Sequence, residues 1–268
     1  MSYPILSTAQ LQQFGEDGYV IVENLVDTEG VALLLRLFQA DQELVARTGS
    51  NKNHEGDGLV TPLVYSEQLG DDAYSALARS WRLAGPLEQL FGGEASHYYT
   101  LNMMKTPNTG GWQWHQDYGY HYQQFLYTDY ISVMVALDPA TRANGCLRVV
   151  KGSNRLGRLE HETSGSQLIA NRGRVEIALE HLEEVSCELS PGSALFFHGN
   201  TLHASDANLS DQSRYSLVYS FVATSNVWVD PDNRNRCTRL DKLADEGLAE
   251  AMQSHWQRVQ SSSRSTPT

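Results

Sequence analysis

The chain predicts a mainly β fold, with a sandwich or jelly-roll core and helices packed on one side of it. Two features carry that prediction. From about residue 95 onward, short apolar or alternating runs follow one another: SHYYTLNMMK, WQWHQD, YISVMVAL, CLRVV, VEIALE, VSCEL, ALFFH and YSLVYSFVA. Turn-forming clusters separate them at Pro107-Asn108, Asn144-Gly145, Lys151-Gly152-Ser153-Asn154 and Ser190-Pro191-Gly192. Many short strands at such spacing make a sandwich or barrel. The N-terminal third has a different texture. Its apolar residues recur at helical spacing, so helices precede the strands and pack on one outer face of them.

The first element is a helix entered at Ser7, whose hydroxyl suits an N-cap before LQQF. Gly15 and Gly18 punctuate, and YVIVENL then reads as a short strand. Residues 28–48 form the longest clear helical pattern, and 49–60 (GSNKNHEGDGLV) a polar, Gly-rich loop able to act as a lid. Residues 71–91 read as two helices separated at Gly85-Pro86. The strands follow. WQWHQD, read as a strand, puts His115 and Asp117 on one face and Trp112, Trp114 and Gln116 on the other. The tryptophans are then expected to pack between sheet and helices.

Bulk properties narrow the function. The chain has 268 residues and shows neither repeat nor linker, so residues 1–259 are expected to form one domain and the polar 260–268 a disordered tail. A net charge of -12 disfavours nucleic acid and anionic membranes as partners. Cys146, Cys187 and Cys237 are odd in number and far apart, which excludes a disulfide framework and a zinc ribbon. They read as thiols in a reducing cytoplasm. The N-terminus lacks a basic segment followed by an apolar one, and no run of eighteen apolar residues occurs. A cytoplasmic location with no membrane span is expected.

The chemistry sits in two clusters. His115 and Asp117 lie in WHQD, and His203 and Arg214 lie in HGNTLHASDANLSDQSR. Two imidazoles and one carboxylate are the ligand set that holds non-haem Fe(II) with positions left open. A lone His-x-Asp is weak, since it also serves turns and salt bridges; the downstream cluster adds the specificity. Arg214 comes eleven residues after His203, so a hairpin through DANLSDQS brings it back beside that strand. There it suits the distal carboxylate of a chelating 2-oxoacid. His198 is a rival ligand in the same stretch, though its distance to Arg214 fits one short hairpin less well.

With these residues in view, the chain resembles the phytanoyl-CoA dioxygenase family of Fe(II)/2-oxoglutarate oxygenases. The resemblance runs over roughly residues 7–224, through FGEDGYVIVENLVDTEGVALL, WHQD, NGCLRVVKGSN, PGSALFFHGNTLHAS and RYSLVYSF. It implies a double-stranded β-helix (a jelly-roll, cupin-like core) with Fe(II) on His115, Asp117 and His203. It also implies 2-oxoglutarate on Arg214 and O2 as the second co-substrate. The chain is similar to the bacterial ectoine hydroxylase branch. That similarity implies co-substrate contacts from Ser132, Asn102, Ser205 and Ser216, and a strand hydroxyl at Ser132 suits a carboxylate independently. Retention of Asp117 implies hydroxylation rather than halogenation. Lys151-Gly152-Ser153-Asn154 departs from the family's Pro-Gly-Ser-His, and YGYHYQQFLYTDY from the ectoine branch, so ectoine is not carried over as substrate.

A small polar metabolite is expected as substrate: an amino acid derivative, a quaternary ammonium compound or an organophosphonate. Tyr118, Tyr120, Tyr122, Tyr127 and Tyr130 cluster after the metal pair and suit a cation. Lys105, Arg148, Arg234, Arg236 and Arg239 suit an anion, or surface ion pairs. Lys105, Tyr118, Tyr120, His121 and Met134 are the candidate substrate contacts. Desaturation or cyclisation by the same fold, and a cupin-like binding protein without turnover, are the competing readings.

Overall fold

The structure, a computed structural model, describes residues 6–52, 58–230, 232 and 237–264. Helix α1 (Thr8–Asp17) opens it with the expected cap: the Ser7 side chain accepts from the Gln10 N–H, and Gln10 reaches back to the Ser7 N–H. Strand β1 (Tyr19–Val22) follows, then α2 (Thr28–Ala40) and α3 (Gln42–Ala46). The helix expected over 28–48 is therefore two, broken at Asp41, whose carboxylate caps α3 by accepting from the N–H groups of Glu43 and Leu44. Next come β2 (Gly49–Lys52) and β3 (Val60–Ser66), an antiparallel pair where a loop was expected. Residues 53–57, the tip of that expected lid, lie outside the described residues.

Helices α4 (Ala73–Arg79) and α5 (Trp81–Phe91) part at Ser80, and Pro86 sits inside α5. Gly85 explains the tolerance: it has no Cβ to collide with the proline ring. Burial of Leu83, Ala84, Pro86 and Leu87 further offsets the missing donor.

Then come β4 (Ala95–Lys105), β5 (Trp112–His115), α6 (Asp117–His121), β6 (Tyr130–Ala136) and β7 (Leu147–Val150). A 3-10 turn (Ser153–Leu156) leads to β8 (His161–Ser164) and β9 (Gln167–Ala170). The run VEIALE is not a strand but part of helix α7 (Arg172–His181). Asn171 caps that helix on Arg174, and Val175 and Ala178, three apart, bury one face. Strands β10 (Glu184–Cys187), β11 (Ala194–His198), β12 (His203–Ser205), β13 (Arg214–Ala223) and β14 (Thr238–Arg239) complete the β structure. Helix α8 (Asp245–Arg264) carries the chain on through the stretch expected to be disordered from residue 260. Residues 265–268 lie outside the described residues.

The core is a jelly roll of two antiparallel sheets. The larger runs β1-β11-β6-β13-β4-β3-β2 with β14 beside β4; the smaller runs β10-β7-β12-β5. Alternation along the strands of the larger sheet divides its two faces. Ile131, Val133, Val135, Phe196, Leu217 and Tyr219 point outward into one apolar layer with Leu34, Leu37, Leu77, Leu87 and Met252 of the helices. This is the packing of helices on one outer face that the sequence led us to expect. Tyr99, Leu101, Met103, Met134, Phe197 and Val218 point inward, toward the smaller sheet, and line a cavity between the two. No described helix is long and apolar enough to cross a membrane.

Candidate active site

The two candidate histidine ligands come from the edge of the smaller sheet. On β12, His203 lies directly opposite His115 of β5, while Ser205 lies opposite Trp112. Three steps on β5 thus match two on β12, so β5 carries a bulge. The extra residue puts Trp112 on the same face as His115. Trp112 therefore lines the cavity, whereas an unbroken strand would have sent it outward. Trp114 does point away and lies under the Arg148 guanidinium. The chain then leaves the strand: Gln116 is extended, and Asp117 begins α6. Asp117 meets His115 through this turn, not through the strand alternation expected from the sequence.

Three ligand atoms converge. Asp117 Oδ1 lies 3.6 Å from His115 Nε2 and 3.5 Å from His203 Nε2. Their geometry suits one shared ion, with candidate atoms within 4.8 Å of one another. Each imidazole has its other nitrogen at a backbone carbonyl. His115 Nδ1–H donates to Gln113 O at 2.6 Å and His203 Nδ1–H to Thr201 O at 2.9 Å. That assignment leaves both Nε2 lone pairs bare, as a metal requires. Burial, reinforced by His115, pulls His203 down to about 4, so its ring is neutral near pH 7. Burial alone would raise Asp117, but His203, His115 and the Ser132 hydroxyl outweigh it and hold the carboxyl well below its usual range. Ser132 Oγ donates to Asp117 Oδ2 at 2.5 Å and leaves Oδ1 facing the histidines.

Arg214 lines the same cavity, which is about 140 Å³ in volume. The residue is 3% exposed, and its Nε and Nη1 have no hydrogen-bond partner among the described residues. The buried Ser216 hydroxyl on the same face of β13 likewise has no partner among the described residues. A desolvated guanidinium without an anion is costly. The two imidazole nitrogens and one carboxylate oxygen suit a divalent transition metal, and the orphaned guanidinium suits a carboxylate at the other side of the cavity.

His115, Asp117, His203, Arg214, Ser205, Ser216, Tyr120 and Met134 all line this one cavity. The other expected contacts do not. Ser132 is fully buried behind Asp117 and donates its hydroxyl proton there. Asn102 faces the helix side of β4, because odd-numbered residues of that strand take the cavity face. Lys105 is fully buried, with Nζ donating to Asp206 O at 2.7 Å and Ser205 Oγ at 3.3 Å. Tyr118 turns outward and donates to Phe125 O. His121 stacks on Tyr130 and meets the Tyr98 hydroxyl at 3.2 Å. His198 packs near Phe14 and accepts from the Asn200 N–H, away from the ligands.

Arg148 pairs with Glu184 and Asp206, and Arg239 with Glu94. Arg234 and Arg236 lie outside the described residues. Tyr99 and Trp112 were not anticipated as cavity residues. Alternation along β4 was available as a signal for Tyr99. The β5 bulge that turns Trp112 inward has no local sequence signature.

Comparison with known proteins agrees with this geometry. The family profile described as phytanoyl-CoA dioxygenase (PhyH) matches residues 14–216. An L-proline trans-4-hydroxylase of Streptomyces griseoviridis is 28% identical over 179 residues, covering 60% of this chain and 67% of the relative. An ectoine dioxygenase of Stutzerimonas stutzeri is 24% identical over 232 residues, covering 81% and 77%. The crystal structure of EctD from S. alaskensis with bound Fe superposes with a TM-score of 0.74 at 20% identity, covering 91% of this chain and 90% of that one. With the profile spanning most of the chain and the jelly roll shared, this protein is an enzyme that belongs to the phytanoyl-CoA dioxygenase family.

Proposed function

We propose that the protein is an Fe(II)- and 2-oxoglutarate-dependent hydroxylase of a small metabolite that carries no net negative charge. The observation that carries the reading is the cavity itself. It has three converging ligand atoms on one side and, on the other, a buried guanidinium without a counter-ion among the described residues. His115, Asp117 and His203 would hold the iron, and Arg214 with the Ser216 hydroxyl would hold the far carboxylate of 2-oxoglutarate. When bound, that pair supplies oxidative decarboxylation coupled to insertion of oxygen into a C–H bond. The protein's own residues do the rest. The backbone carbonyls of Gln113 and Thr201 keep both imidazoles in the ligating tautomer. Ser132 orients the carboxylate. Leu101, Met103, Met134, Leu147, Phe197 and Val218 keep water from the interior.

The substrate class follows from what remains. Among the described residues lining the cavity, Arg214 is the one permanent cation, and the co-substrate occupies it. The remaining wall includes three polar-edged aromatic side chains, Tyr99, Trp112 and Tyr120. Such rings favour an ammonium group or a neutral body over a phosphonate or carboxylate head. A panel of betaines, amino acid derivatives and phosphonates, assayed for stimulated succinate formation, tests this. An ammonium-bearing compound should stimulate and gain one oxygen. Stimulation by anionic phosphonates alone, or a product that has lost two hydrogens, would overturn the assignment.

A further inference from the structure

Gln116 lies between two metal ligands in sequence, yet its side chain points away from them and is fully buried. A buried primary amide must have each of its polar groups met. Here Nε2 donates to Gly157 O at 2.8 Å and to Asn200 O at 2.7 Å, while Oε1 accepts from the Leu159 N–H at 2.7 Å. Two carbonyls on one side and an N–H on the other admit only this orientation of the amide. The Gln116 backbone N–H adds a fourth bond, to His161 Nε2 at 3.0 Å, and His161 Nδ1–H in turn donates to Leu159 O at 2.9 Å.

One residue therefore ties three segments together. They are the bend from β5 into α6, the 157–160 loop with the first residue of β8, and the β11–β12 loop. Asn200 of that last loop immediately precedes Thr201, whose carbonyl receives the His203 Nδ1–H, and His203 follows two residues later. The packing around this bracket is close. A Cβ added to Gly119 would fall 2.2 Å from the His161 ring, so the helix turn after Asp117 fits against His161 only with glycine there.

We propose that Gln116, braced by His161, is the positioning residue of the metal site: it holds the His115–Asp117 bend and the His203 loop in the relative placement that lets three ligand atoms meet. Touching no ligand atom, Gln116 acts through the segments that bear the ligands. The inference rests on the metal-site reading above, and its test reads metal binding alone. Metal-free protein is titrated with Co(II), without 2-oxoglutarate, by calorimetry and by the ligand-field spectrum of the bound ion.

Gln116→Met keeps length and packing but removes the hydrogen bonds. Gln116→Glu keeps the shape but turns an acceptor toward two carbonyls. Both should bind Co(II) about ten- to a hundredfold more weakly, with an altered spectrum. His161→Ala removes a partner at a half-buried edge, so it spares the fold more. It should shift affinity in the same direction by a smaller factor. Folding of each variant is checked by circular dichroism. A folded variant of either residue that binds Co(II) within twofold of wild type, with an unchanged spectrum, overturns the proposal. A wild-type chain that takes up no Co(II) overturns the metal site itself, and this inference with it.

Discussion

Replacing Arg214 by Met is expected to stabilise the ligand-free protein while abolishing its response to 2-oxoglutarate. Burial, only partly opposed by Cys146, draws the guanidinium down to about 10. At about 1.4 kcal/mol per tenfold change, that corresponds to a folding cost on the order of 3 kcal/mol. The sign follows from the direction. A base whose folded pKa is depressed is penalised wherever it stays charged, hence throughout the range below about 10. Methionine keeps much of the volume and brings no charge, and such swaps of buried charge gain about 1–4 kcal/mol. For a domain of this size the melting temperature should rise by roughly 2–4 °C per kcal/mol.

The assay is a pair of thermal melts for wild type and variant, with and without 2-oxoglutarate in the presence of Mn(II). Wild type should melt higher with the co-substrate, because the carboxylate supplies the missing partner. The variant should melt higher without it and show no further shift. A variant that melts well below wild type, or that keeps the 2-oxoglutarate shift, would refute the assignment of Arg214 as an uncompensated cation awaiting a dicarboxylate.

Other outcomes follow from the same geometry. Ser132→Ala frees Asp117 Oδ2 and should weaken ferrous binding by about tenfold, measured by anaerobic titration, with little change in KM for 2-oxoglutarate. Trp112→Leu should raise the KM for the metabolite more than that for 2-oxoglutarate, because the ring lines the cavity from the smaller sheet, across from Arg214; an equal rise in both would place it elsewhere. His97 is fully buried and drawn down to about 4 by burial, so it stays neutral when folded but takes a proton when unfolded below about 6.5. Its contribution to stability is intact above that value and lost as pH falls toward 4, by up to about 3 kcal/mol. Urea unfolding at a series of pH values should show this loss, and His97→Phe should flatten the slope.

Much of the site was legible because it is written in residue types. Two histidines, an aspartate and an arginine at those spacings have few other joint uses. The expected hairpin does not form, however: β12 belongs to the smaller sheet and β13 to the larger, so Arg214 reaches the cavity from the sheet facing His203. The fold class was legible from strand length and turn chemistry. What the sequence hid depends on partners. The bulge of β5 exists only against β12, and it turns Trp112 into the cavity. Asp117 sits in a helix turn because Gly199 O receives the Tyr118 N–H, a contact between residues far apart in sequence. VEIALE alternates like a strand, yet Asn171 caps it as a helix. In α8, Leu248, Met252, His255 and Val259 recur at four, three and four residues, a helical stripe that was present but obscured by the polar residues between them. The Ser132 hydroxyl donates to the Asp117 carboxylate, a contact set by the position of α6 that the sequence did not suggest.

The central claim is that this cavity turns over 2-oxoglutarate on a metal held by His115, Asp117 and His203. Release of labelled CO2 from carboxyl-labelled 2-oxoglutarate, by the purified chain supplied with ferrous ion in air, tests it most directly. Release should depend on ferrous ion and disappear in both Asp117→Ala and His203→Ala. No release by the wild-type chain, or release undiminished in those variants, would contradict it.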